Sequence, residues 1–170
     1  MYIDIETERL LIRPIALTDA KFILDLVNSK GWLKFIGDRN ISNEDDAKTY
    51  IQKILDNSNF YYNVFELKET KEAIGVVTFL KRDNEKFPDI GFALLPEFEK
   101  NGYTLEASKA YLDKISHSNI YEDIIAITLS NNKRSINLLQ KLGLNYTGNH
   151  KRGEEILSYY SLKTKVRGNK

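Results

Sequence analysis

The residues of this 170-residue chain best suited to chemistry fall in two stretches, 89–107 (DIGFALLPEFEKNGYTLEA) and 130–144 (SNNKRSINLLQKLGL). In the first, a short apolar run over residues 90–95 meets Pro96, which has no N–H for a sheet ladder and so stops the strand or splays it from a neighbour. A tight loop follows, Glu99-Lys100-Asn101-Gly102, and the spacing of Leu105, Ala107, Tyr111, Leu112 and Ile115 predicts a helix from Thr104. A strand, a glycine-containing loop and a helix start can together hold a phosphate, because first-turn N–H groups are unpaired and carry partial positive charge. The same pattern also makes an ordinary turn. The second stretch follows a β-rich run, residues 124–129, and reads as a helix capped by Asn132 and closed by Gly143.

Composition narrows the chemistry further. The chain has no Cys, hence no thiolate nucleophile, disulfide or thiolate metal site, and His117 and His150 lack metal-ligand spacing, so no metal is expected. A net charge of +1 points to neither nucleic acid nor membrane as a partner. With 42% hydrophobic and 29% charged residues, the chain reads as one soluble domain over 1–170, with 163–170 a frayed basic tail. The N-terminus has no apolar leader and no run approaches the roughly 18 apolar residues of a membrane span, so a cytoplasmic protein is expected.

Residues 9–15 form a strand ending at Pro14, and Thr18 caps a helix through Val27. Residues 30–37 read as an aromatic loop, and Ser42 with Asp45 starts a second helix that ends at 57–59. Strands over 61–67, 74–80 and 90–95 are joined by polar turns, with residues 81–86 a solvated turn. Beyond the motif helix come strand 124–129, helix 133–142, and strands 144–147 and 156–162. Hairpins followed by a β–α–β unit predict an α/β (α+β) fold, a mixed and mostly antiparallel sheet of six to seven strands with helices on both faces.

Taken together and in order, the motifs resemble the GCN5-related N-acetyltransferase (GNAT) family, in particular its ribosomal-protein N-terminal acetyltransferase branch. The resemblance rests on Pro96, Phe98, Gly102, Tyr103, Glu106 and Ala107, then on Asn132, Ser135, Ile136, Leu138, Leu139, Lys141 and Gly143. An opening strand, Thr7 to Pro14, is similar too, and the whole covers roughly residues 5–162. It implies a sheet split into a V between its fourth and fifth strands, with acetyl-coenzyme A in the gap. The implied activity is direct acetyl transfer to a primary amine, on a peptide N-terminus or a small molecule, by a monomer or a homodimer.

Carried over residue by residue, the resemblance assigns Phe92, Ala93 and Leu94 to the pantetheine arm, and Lys100, Asn101, Gly102, Tyr103 and Thr104 to the pyrophosphate. Asn132 is a cap or a cofactor contact, and Ser135 is the candidate acid for the departing thiolate. Asp89 matches an acidic position and is the candidate base, with Glu66 and Glu97 behind it. The acceptor groove falls to Trp32, Phe35, Ile36, Asp38 and Arg39, whose mixed charge selects no acceptor. The loop departs from the family at Glu99, where Gln or Arg is usual, and at Lys100, where Gly is usual. If Lys100 sits at φ > 0 it costs on the order of 1 kcal/mol. Leu139 stands where many relatives place a tyrosine acid. These departures keep a second reading open, a GNAT fold serving as a non-catalytic binding or dimerisation module.

Overall fold

The computed structural model describes residues 1–118 and 120–164. Eight strands form one sheet: β1 (Ile5–Glu6), β2 (Leu10–Pro14), β3 (Phe60–Leu67), β4 (Ala73–Leu80), β5 (Asp89–Leu94), β6 (Asp123–Leu129), β7 (Asn145–Arg152) and β8 (Glu155–Lys163). Their order is β1-β2-β3-β4-β5-β6-β8-β7. The strands pair antiparallel except at β5–β6, which is parallel. Five α-helices accompany the sheet: α1 (Ala20–Val27), α2 (Lys30–Phe35), α3 (Glu44–Leu55), α4 (Tyr103–His117) and α5 (Lys133–Lys141).

Two apolar cores hold these layers together. In one, Tyr111, Leu112 and Ile115 of α4 pack on Leu10, Ile12, Phe65, Val77 and Phe79 of the sheet. In the other, Phe22, Ile23 and Leu26 of α1, Trp32 of α2 and Ile51 of α3 pack with Val64, Val76 and Leu80. Alternation in β3 and β4 sends neighbouring residues to opposite cores, so both strands are apolar on both faces.

The split in the sheet has a local origin. β5 and β6 share a single register pair, Asp89 with Ile125, supported by the Ile125 N–H donating to the Pro88 carbonyl at 2.9 Å. Beyond that pair the strands part. The facing edges of β5 and β6 then lack each other's hydrogen bonds, as the V expected between the fourth and fifth long strands requires.

Several expectations need correction. The strand count is eight, because Ile5–Glu6 adds a short edge strand. Residues 30–35 form helix α2 instead of a loop; the Ser29 Oγ accepts from the Trp32 N–H, and burial of Trp32 outweighs the helix cost of Gly31. Asn43, not Ser42, caps α3 by accepting from the Asp46 N–H at 2.9 Å. A 3₁₀ turn, Leu17–Asp19, precedes α1, and Asp19 accepts from the Ala16 N–H where Thr18 was expected to cap. α4 begins at Tyr103, one residue early. β7 runs to Arg152, well past residue 147; it is an exposed edge strand, so no apolar alternation marks it. Lys163 still pairs with Asp123, and the Thr164 N–H donates to the Glu122 carbonyl, while the rest of the expected tail lies outside the described residues. No helix among the described residues is long and apolar enough to cross a membrane.

Candidate active site

A cavity of about 1140 Å³ fills the split between β5 and β6. One half is walled by Phe92, Ala93 and Leu94 of β5, the 126–129 segment of β6, Asn132 and Ser135 at the start of α5, and Leu139 one turn further on. The other half is walled by α2, α3, the β4–β5 turn and the β7–β8 hairpin.

Asp89 stands where the strands part. It is 4% exposed and on the cavity wall, with Oδ2 accepting from Arg82 Nε at 2.8 Å and Oδ1 making no hydrogen bond. Burial pushes its carboxyl up to about 6, with the Arg82 guanidinium pulling the other way. A buried acid with one oxygen unsatisfied and a pKa near neutrality is suited to exchanging protons. Glu66 is instead tied to Arg13 at 2.9 Å, in a cluster that includes Asp19, and Glu97 is exposed on the 3₁₀ turn Pro96–Phe98. Neither lines the cavity.

The phosphate-type loop is held from outside the cavity. Glu106, in the first turn of α4, accepts from Thr7 Oγ1 at 2.7 Å and from the Arg9 N–H at 3.0 Å through Oε1, and from Arg9 Nε at 2.7 Å through Oε2. Arg9 also donates to the Asn101 carbonyl at 3.0 Å and lies 4.5 Å over the Tyr103 ring. Thr7 and Arg9 of the opening motif and Glu106 of the loop motif are thus one lock between the β1–β2 turn and the helix start. Within the loop Lys100 has φ 68° and Gly102 φ 80°, both left-handed, so the position where relatives carry glycine does demand that geometry. Lys100 and Thr104 line the cavity, whereas Asn101, Gly102 and Tyr103 stand behind it.

On the facing arm, Asn132 Oδ1 accepts from the Ser135 N–H at 3.2 Å and caps α5. The cap thus uses the Ser135 amide and not its hydroxyl, and Ser135 lines the cavity. Arg134, one residue before, hydrogen-bonds the Glu99 carboxylate across the opening.

Arg82, Glu85, His150 and Tyr159 on the wall escaped the sequence reading. Arg82 and Glu85, assigned to a solvated turn, face the cavity, and Glu85 Oε1 accepts from the Tyr159 hydroxyl of β8 at 2.8 Å. The His150 ring packs on Tyr159 with centroids 4.3 Å apart. Nothing in a polar turn distinguishes residues that face a cleft from residues that face water. Of the acceptor set, Trp32, Phe35, Ile36 and Arg39 line the cavity and Asp38 does not. Among the described residues, no group of three or more His, Asp or Glu side chains could hold a metal ion.

A family model described as an acetyltransferase (GNAT) domain matches residues 9–145. An uncharacterized N-acetyltransferase, YnaD of Bacillus subtilis (strain 168), is 28% identical over 145 residues, covering 85% of this chain and 84% of that one. Ribosomal-protein-S5-alanine acetyltransferase from Vibrio fischeri superposes with a TM-score of 0.79 at 19% identity, over 95% of this chain and 97% of the other. Microcin C7 self immunity acetyltransferase MccE, solved in complex with acetyl-CoA and AMP, does so with a TM-score of 0.81 at 18% identity, over 92% and 93%.

Proposed function

The chain belongs to the GNAT acetyltransferase family, and on that premise we propose that it is an acetyl-coenzyme A-dependent N-acetyltransferase acting on a primary amine by direct transfer. The observation that carries this reading is the opening of β5 from β6 after one register pair, with the buried Asp89 at the point of parting. The residues present fit the cofactor. An extended arm can add to the free edge of β5 at Phe92, Ala93 and Leu94, and a pyrophosphate can meet the Lys100–Thr104 backbone at the α4 start.

When bound, acetyl-coenzyme A supplies the activated thioester carbonyl that an amine attacks. The chain's residues manage protons and position. An amine is an ammonium at neutral pH, and the Asp89 carboxylate accepts the proton it must lose. Ser135 Oγ–H, on the opposite arm, is the proton donor for the sulfur side of the reaction. Leu139 is 1% exposed and offers no hydroxyl, so the acid falls to Ser135. Asn132 holds the start of α5 and thereby Ser135 in place.

Thiol release from acetyl-coenzyme A in the presence of a panel of primary amines tests this reading. Amine-dependent release in the wild type and its loss in Asp89→Asn are expected. A wild-type protein that binds acetyl-coenzyme A and releases no thiol with any amine would leave the fold as a binding module.

A further inference from the structure

The half of the cavity that receives the acceptor is a cation-rich chamber. Its wall carries Arg39, Lys53, Arg82, Lys151 and Arg152 against two carboxylates, Glu85 and Asp89, an excess of 5 − 2 = 3 positive charges. Arg152 pairs with Glu155 at 2.8 Å, which still leaves two. Asp38, beside Arg39 in sequence, is off the wall and accepts from the Asn40 N–H at 2.7 Å.

Two guanidiniums, Arg39 and Arg82, share this wall with the hydroxyl pair of Tyr50 and Tyr62. The Tyr62 hydroxyl lies 3.3 Å from that of Tyr50, and its phenol is pushed up by burial while Arg39 and Arg82 both pull it down. Arg39 reaches the wall from the α2–α3 connection, with its Cζ 5.8 Å from the centre of the Trp32 ring. Arg82 reaches it from the β4–β5 turn. Among the described residues, the ion pair recorded for Arg82 is the Nε contact to Asp89, which leaves its terminal nitrogens as donors. Arg39 has no ion pair among the described residues; its recorded contacts are the Gly37 carbonyl at 3.4 Å and the Trp32 ring.

Resting on the acetyltransferase reading, we propose that the acceptor is a small primary amine bearing a carboxylate or phosphate a few bonds from its nitrogen, with that anion held by Arg39 and Arg82. The spacing follows from the Arg82–Asp89 contact. An amine delivered to Asp89 has the outer edge of the Arg82 guanidinium within one side-chain group's width. A planar donor fork suits the two oxygens of a carboxylate or phosphate. A polyamine meets the opposite situation: its second cation would face the excess positive charge, with Glu85 as the one wall carboxylate not paired to a cation among the described residues.

Two matched pairs test the proposal and separate its anion sources: L-phenylalanine against the isosteric L-phenylalaninamide for carboxylate, and phosphoethanolamine against ethanolamine, which lacks the phosphoryl group, for phosphate, with spermidine as the polycation. The expected result is a kcat/KM at least about tenfold higher for the anionic member of one pair or both, the size of one charge-assisted contact. That ratio should collapse in Arg39→Gln and persist in Arg39→Lys. Preference for the neutral members, or for spermidine, overturns the proposal and leaves the acetyltransferase reading intact. A second measurement needs no turnover. Trp32 is the chain's single tryptophan, so its fluorescence reports binding of N-acetyl-L-phenylalanine against N-acetyl-L-phenylalaninamide. Tighter binding of the carboxylate that Arg39→Gln abolishes supports the subsite even if no amine is acetylated. Equal binding of the two overturns it.

Discussion

The Arg134 guanidinium hydrogen-bonds the Glu99 carboxylate, joining the two motifs across the mouth of the V. The acidic residue at the loop position where relatives carry Gln or Arg is therefore not an isolated negative charge. It holds a cation from the opposite arm where a pyrophosphate would lie. Arg134 is 74% exposed and Glu99 35%, so the pair itself contributes only about 0–1 kcal/mol.

Glu99→Gln frees Arg134 and removes one like charge, so acetyl-coenzyme A should bind about three- to tenfold more tightly, the order expected for an exposed charge contact. The gain should shrink with salt, since screening acts over ~8 Å at 0.15 M. Arg134→Ala should bind more weakly than wild type. Calorimetric titrations of the three proteins at low and high salt check both, and tighter binding by Arg134→Ala would contradict this role.

Asp89 sets the pH dependence. Its pKa in the fold is raised to about 6 by burial, so the carboxylate form needed as base is lost as pH falls through that value. The rate should drop on the acid side with a midpoint near 6. The sign for stability is opposite: a raised carboxyl favours the fold when protonated, and that contribution is lost as pH rises from about 4 to about 6. Asp89→Asn should lower kcat about 100-fold or more and abolish the acid limb in a pH–rate profile. A surviving limb near pH 6 would assign the base elsewhere.

Ser135 separates catalysis from capping. The cap uses its amide and the Asn132 side chain, so Ser135→Ala should leave the denaturation midpoint within about 0.5 kcal/mol of wild type. Acetyl-coenzyme A affinity should also hold while kcat falls, because a proton given to a departing thiolate matters only in the transition state. Unchanged kcat would remove the acid role.

Glu106 carries a structural load. Burial works to raise its carboxyl, but the bonds from Thr7 and Arg9 prevail and hold it below the usual range. It therefore contributes stability above that range, lost as pH falls through it. Glu106→Ala removes three acceptor contacts to the β1–β2 turn and should cost about 2 kcal/mol by urea denaturation. A loss under about 0.5 kcal/mol would show that the lock is dispensable.

What could be read from the sequence follows a physical line. β2 to β6, β8, α1, α3 and the two motif helices announced themselves through apolar spacing, and α5 also through its Asn132 cap. The left-handed backbone at Lys100 was readable because a motif position that normally holds glycine held something else. The full length of β7 and the helical form of α2 were not readable: an exposed edge strand has no burial pattern, and a six-residue helix depends on packing around Trp32 more than on propensity. The contacts that shape the site, Arg134 with Glu99, Arg82 with Asp89 and Glu85 with Tyr159, join different structural elements. Sequence spacing is silent about such pairs until the sheet splits and its arms face each other.

The central claim is that the gap between β5 and β6 takes acetyl-coenzyme A. Titration calorimetry of the wild-type protein with acetyl-coenzyme A measures it directly. The account predicts saturable one-to-one heat that weakens when Ala93 on the β5 wall is replaced by a bulky Trp. No heat at millimolar acetyl-coenzyme A, or heat unaltered by Ala93→Trp, would contradict it.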